Sequence, residues 1–108
     1  MCCALAFGCS EEKEETKPAN LLSDKQLTSI LIDMHIAEAR VEANGFSADT
    51  AMAVYNNLKQ DIYKKHNITE AHFQESYDYY LTNLSKLDKI YETVIDSLSM
   101  REVKASSK

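Results

Sequence analysis

The chain is poor in residues that turn or break a backbone: two glycines and one proline in 108 residues, with no tryptophan. A sheet protein of this size needs many turns, so the shortage favours helices. No apolar run approaches the roughly 18 residues of a membrane-spanning helix. No basic stripe is present either. The net charge is -5, and acids and bases are interspersed beyond residue 20, so no nucleic-acid footprint is expected. No cysteine follows position 9. Cys2, Cys3 and Cys9 form an odd set crowded into one terminus, with no histidine nearby, which is neither a disulfide framework nor a metal site. What remains, rich in Glu, Lys, Leu and Ala, suits one small all-α domain with a modest core.

The crowded terminus has another use, acylation. Met1 to Gly8 is uncharged and apolar and looks like the end of a secretory signal peptide. It is short and no Lys or Arg precedes it; a true start upstream of Met1 accounts for both. Leu5-Ala6-Phe7-Gly8-Cys9 resembles a lipobox, in which the small Gly8 suits cleavage before a lipidated Cys9. Phe7 is bulkier than usual at its position, and Leu5 sits one residue early. Ser10-Glu11-Glu12-Lys13-Glu14-Glu15 resembles the acidic export signal of surface-exposed lipoproteins of the Bacteroidota. Thr16 to Asn20 then reads as a tether, because charge and proline disfavour packing. The segment after Cys9 spans roughly 18 Å as a loose coil. The expected organisation is a signal remnant (1–8), a lipidated Cys9 with a disordered acidic tether (9–20), a helical domain (21–103) and a frayed tail (104–108). The competing reading is a disordered acidic terminus on a cytosolic protein.

Four helices follow from the periodicity. Ser23-Asp24-Lys25-Gln26 is a capping box, and the first helix is expected from about Asp24 to Ala43, stopped by Asn44-Gly45. Ser47 or Asp49 caps a second helix through Lys65, with the stripe Ala51, Tyr55, Leu58 and Ile62. Tyr63 and Tyr79 lie off the apolar faces. Thr69 caps the third, from Glu70 to about Leu81, with Ile68 and Phe73 spaced as a hydrophobic staple. Ser85 is the expected cap of the fourth, which ends near Met100. Short connections set these side by side in a compact four-helix arrangement.

The opening Leu21-Leu22-Ser23 with Ile30-Leu31-Ile32-Asp33-Met34-His35-Ile36-Ala37-Glu38-Ala39 resembles a Bacteroidota lipoprotein family, the domain of unknown function 4296. Tyr63 to Phe73, Ser76 to Tyr80 and Leu87 to Ile95 resemble its later segments in the same order. The resemblance implies a helical fold and an envelope location, and no activity.

On a helical wheel of the first helix, Leu27, Ile30, Leu31, Met34 and Val41 share one face, and Glu38 falls in its middle. Asp33, Ser29 and Arg40 make a narrow polar strip. Ile32, Ile36, Ala39 and Ala43 form a second apolar stripe opposite. Exposed isoleucine pairs invite aggregation, so both stripes are expected in the core; an exposed docking face is the alternative. A carboxylate facing a core needs a partner, so Glu38 is either paired with a Tyr hydroxyl or a free N–H, or belongs to a binding pocket. His35 and Glu38 are one turn apart, but no matching ligands follow on a facing helix, so no metal or other cofactor is expected. Tyr79 is a candidate anchor for a sugar or partner. Asp33, His35, Glu38 and Tyr79 are therefore the candidate binding residues.

No nucleophilic cysteine, phosphate loop or catalytic triad context occurs beyond residue 9, so an enzyme is not expected. The leading expectation is a lipid-anchored cell-envelope module, at the outer membrane, that binds an envelope protein partner. A chaperone-like factor holding clients on the second stripe is the alternative. A glycan-acting enzyme using Glu38 and Asp33 is third.

Overall fold

Ser23 opens the first helix by a reciprocal exchange. Its hydroxyl accepts from the Gln26 N–H at 3.1 Å, and Gln26 Oε1 accepts from the Ser23 N–H at 2.9 Å. This computed structural model describes residues 18–106, with side chains described to residue 101. In it α1 spans Asp24–Ala43, as the pattern predicts. Asn44 caps its end, and Gly45 reverses the chain at φ 66°, where a side chain would be strained.

Ser47 caps α2 (Ala48–Lys65), its hydroxyl accepting from the Thr50 N–H. The helix ends in a Schellman motif: the Ile68 N–H reaches the Tyr63 carbonyl at 2.9 Å, and the Asn67 N–H reaches that of Lys64 at 3.1 Å. Asn67 supplies the left-handed residue, at φ 58°. Thr69 caps α3 (Glu70–Leu81), accepting from the His72 N–H at 3.0 Å.

The last helix, α4, spans Leu84–Ser106 and departs from expectation at both ends. Asn83, not Ser85, caps it: Asn83 Oδ1 accepts from the Lys86 N–H at 3.4 Å and its carbonyl from the Leu87 N–H at 3.1 Å. Asn caps as well as Ser and comes first in the chain. The helix also runs past Met100. Residues 101–106 lack an apolar stripe but contain no glycine or proline, and Arg, Glu, Lys and Ala there are good helix formers.

α1 packs against both α2 and α4, and α3 bridges α2 and α4 from the other side. The core joins Leu22, Leu27, Ile30, Leu31 and Met34 to Ile62 and Tyr63 of α2, Phe73 and Tyr80 of α3, and Leu87, Ile90 and Val94 of α4. Tyr63 corrects the sequence pattern. It is only 4% exposed, and its ring lies 5.7 Å from that of Phe73. α3 folds back onto the last turn of α2, so burial there shifts to Ile62 and Tyr63, while Ala51, Tyr55 and Leu58 stay half-buried.

The second stripe of α1 is also not core throughout. Ile32 packs against the core cluster, Ile36 is half-buried, and Ala39 and Ala43 are exposed. Helix lengths explain this. α1 has 20 residues and α3 has 12, about 30 Å against about 18 Å. α3 lies beside the first part of α1, so the end of the bundle holding Ala39 and Ala43 has three helices instead of four. No helix among the described residues is long and apolar enough to cross a membrane.

Candidate functional site

The short reach of α3 leaves a hollow of about 310 Å³ to which all four helices contribute. α1 supplies His35 and Glu38, beside Leu31 and Met34. α2 supplies Tyr55, α3 supplies Phe73 and Tyr77, and α4 supplies Tyr91. His35 Nδ1 and Glu38 Oε1 are 3.7 Å apart, one helical turn along α1. The His35 ring meets Tyr91 edge-on at 6.2 Å between centroids. Phe73 stacks on Tyr77 at 5.6 Å. The hydroxyls of Tyr77 and Tyr91 are hydrogen-bonded at 2.9 Å. Burial, followed by that bond, pushes the Tyr91 phenol well above its ordinary range. Burial and then the Glu38 charge raise that of Tyr55. Both phenols therefore stay neutral at physiological pH.

Glu38 does not sit in the middle of a core face. Its side chain is 55% exposed. The buried side of α1 turns as the helix leaves α3, from Leu27 and Leu31 toward Ala37 and Val41, and Glu38 emerges at the edge. Water solvates the carboxylate, so it needs neither a tyrosine hydroxyl nor a free N–H.

Asp33 is held elsewhere. Its Oδ2 lies 2.9 Å from Lys65 Nζ and 2.8 Å from His66 Nε2, joining α1 to the end of α2. Burial works to raise the Asp33 pKa, but the hydrogen bonds from His66 and Lys65 and their charges outweigh it and hold the carboxyl below its ordinary value. Asp33 borders a hollow shared with Arg40 and Asp61, distinct from that of His35 and Glu38. The two carboxylates of the catalytic alternative are thus not brought together. Tyr79 lies at the other end of the bundle, beside Pro18 to Asn20, with its ring 5.9 Å from Tyr80 in a T-shaped contact. Of the four candidates the structure joins only His35 and Glu38. Cys9 and the run Ser10, Glu11, Glu12, Lys13, Glu14 and Glu15 lie outside the described residues. Among the described residues, no group of three or more His, Cys, Asp or Glu side chains is placed to hold a metal ion.

The open end of the bundle carries a second feature. Ile36, Ala39 and Ala43 of α1 face Ile95 and Leu98 of α4 across a groove of about 570 Å³. Ile95 is 60% exposed. Arg40 and Arg101, both exposed, border the groove. Among the described residues neither guanidinium has a carboxylate within 4.0 Å.

Sequence reasoning missed a clamp at the start of the domain. Ser76 is fully buried, and its hydroxyl accepts from the Leu22 N–H at 3.1 Å. The Tyr80 hydroxyl donates to the Leu22 carbonyl at 2.8 Å and lies 2.9 Å from Asp24 Oδ1. His72 Nε2 donates to the Asn20 carbonyl at 2.7 Å. α3 therefore fixes the segment through which residues 1–17 join the domain. The available signal was the spacing: Phe73, Ser76 and Tyr80 share one face of α3.

The model of a family described as Domain of unknown function (DUF4296) matches residues 18–104, a span that takes in α1, α2 and α3 and most of α4. No curated protein and no solved structure matches the chain.

Proposed function

This chain belongs to the DUF4296 family, and we propose that it is a lipid-anchored adaptor of the bacterial cell envelope, held at the outer membrane through Cys9. The acidic run Ser10 to Glu15 directs its export, and the helical domain docks a partner protein. The observation that carries the docking role is the apolar groove between α1 and α4, open to solvent and bordered by two arginines that have no carboxylate within 4.0 Å among the described residues.

Its occupant is an amphipathic helix of an envelope protein, with apolar residues on Ile36, Ala39 and Ile95 and carboxylates toward Arg40 and Arg101. Charge complementarity selects this occupant. A second copy paired through the same groove would bring two more arginines to the interface and no carboxylate from the groove's own lining. Client holding is the second reading. It draws on Phe46, Met52, Ile95 and Met100, all exposed at the same open end of the bundle, where flexible methionines adapt to varied surfaces.

A photo-reactive residue in place of exposed Ala39 tests the reading in whole cells. The expected result is one crosslinked envelope protein, joined through an acidic helical segment and lost in the double variant Arg40→Glu, Arg101→Glu. Many unrelated crosslinked proteins would favour client holding. Equal crosslinking from a photo-reactive residue at Ser85, on the distant end of α4, would overturn both readings.

A further inference from the structure

The tyrosine hollow adjoins the docking groove, sharing His35 with it, but the rest of its lining is of different chemistry. Aromatic rings from three helices surround it: Tyr55, Phe73, Tyr77 and Tyr91. Its one carboxylate is Glu38, and no lysine or arginine lines it. Among the described residues Glu38 has no Lys or Arg within 4.0 Å; its neighbour is His35 at 3.7 Å. We propose that this hollow is a binding site for a small organic ammonium ion, with the rings contacting the cation and Glu38 balancing its charge.

The electrostatics favour that class. The face of an aromatic ring is negative and attracts a cation, more strongly where water is displaced. One face of the Tyr55 ring already takes a cation of the chain itself, with Lys59 Nζ 5.2 Å from its centre, which leaves a ligand the opposite face and the other three rings. An anion would meet Glu38 and no basic partner except His35. A metal ion would find a single carboxylate, too few oxygen ligands for a hard cation. A sugar would find Glu38, Gln74 and the Tyr55 hydroxyl, whereas the hydroxyls of Tyr77 and Tyr91 bond each other, so a sugar is the competing probe in the test. A volume of about 310 Å³ suits a head group such as trimethylammonium or a lysine side chain, at the lower end of ligand pockets.

The test uses the full-length protein and three probes: tetramethylammonium chloride, choline chloride and N-acetylglucosamine, with sodium chloride as the ionic-strength control. Aromatic proton shifts of the six tyrosines are followed by NMR. Saturable shifts are expected at Tyr55 and Tyr91 with both ammonium salts and not with sodium chloride. Glu38→Gln, at an exposed position, should fold normally and weaken binding by roughly fivefold, the scale of one partly solvated ion pair. Tyr55→Phe should keep binding, and Tyr55→Leu should lose it. Shifts that do not saturate, undiminished affinity in Glu38→Gln, or binding of the sugar without binding of tetramethylammonium would each overturn the proposal. Survival of groove crosslinking in Glu38→Gln would separate this site from the adaptor function.

Discussion

The Asp33 carboxylate and the His66 imidazole, 33 residues apart, meet at 2.8 Å, and each side chain is less than a fifth exposed. His66 also caps the end of α2, so this one contact joins a helix terminus to the middle of α1. Lys65 adds a second bond to the same oxygen, but its side chain is 66% exposed and contributes less.

Removing the carboxylate should therefore weaken the helical hairpin. Asp33→Ala is expected to cost about 1–3 kcal/mol, because a largely buried imidazole loses its charged partner. In a domain of this size that lowers the melting temperature by roughly 4–8 °C per kcal/mol. The pH dependence has a definite sign. The folded-state pKa of Asp33 lies below the ordinary 3.8, so the contribution is complete above that value and is lost as pH falls through the folded pKa. Melts of the wild type and Asp33→Ala should differ fully at pH 6, begin to converge as pH falls below about 3.8, and meet only below the folded pKa of Asp33. A gap that stayed constant down to pH 2 would count against the ion pair.

Tyr80 makes a different kind of contact. Its hydroxyl satisfies a buried carbonyl at Leu22, and Ser76 satisfies the N–H of the same residue. Tyr80→Phe leaves that carbonyl dry and unpaired, at a cost of about 1–3 kcal/mol. The loss should be local as well as global. Amide exchange at Leu22 should accelerate more than exchange at Ile30 in the centre of α1. Uniform acceleration would mean that Tyr80 supports the whole bundle and not this clamp.

The fold was legible because its signals are local. Ser23 with Gln26, Asn44-Gly45 and Thr69 each act within a few residues of their own helix, and α1 and α3 have the bounds these signals imply. Long-range features were less legible. Tyr63 is core only because α3 folds back onto α2, and Glu38 is exposed only because α3 is too short to cover it. A helical wheel treats each helix as uniformly covered and cannot contain either fact. The pairing of His35 with Glu38 could be read from their spacing of three, whereas the aromatic rings around them come from three other helices. Asp33 stood out as polar, but its partners lie on α2. The acidic residue on one helix and the run Lys64-Lys65-His66 on the next were the available hint.

Anchoring makes the next prediction. If Cys9 is the processed terminus, mass spectrometry of protein from its native envelope should find a diacylglyceryl or triacylglyceryl group on Cys9 and no residue before it. Cys9→Ser should release the protein from the membrane fraction without changing its melting temperature, since Cys9 precedes the clamp at Leu22. A native protein that retains Met1 and fractionates as soluble would remove the lipoprotein reading.

The two faces of α1 give the sharpest comparison. Leu31 is 4% exposed within the core cluster, whereas Ile36 is half-buried on the groove beside Ala39. A carboxylate at Leu31 would be buried without a partner, a cost of several kcal/mol that is comparable with the whole stability of so small a domain. A carboxylate at Ile36 would reach water. It would also lie four residues before Arg40, a favourable spacing on a helix worth about 0.2–0.5 kcal/mol. Leu31→Asp should therefore unfold the domain at room temperature, while Ile36→Asp should lower its stability by about 1 kcal/mol or less, the scale of a surface substitution plus some lost packing. The second variant should nonetheless lose the crosslink formed from Ala39, because it puts negative charge on the apolar floor that an acidic partner helix must cover. Thermal melts and crosslinking of the same two variants separate the alternatives. A large loss of stability in both would make the second stripe core and remove the groove as a docking face; a stable Ile36→Asp that still crosslinks would leave the groove open but unused.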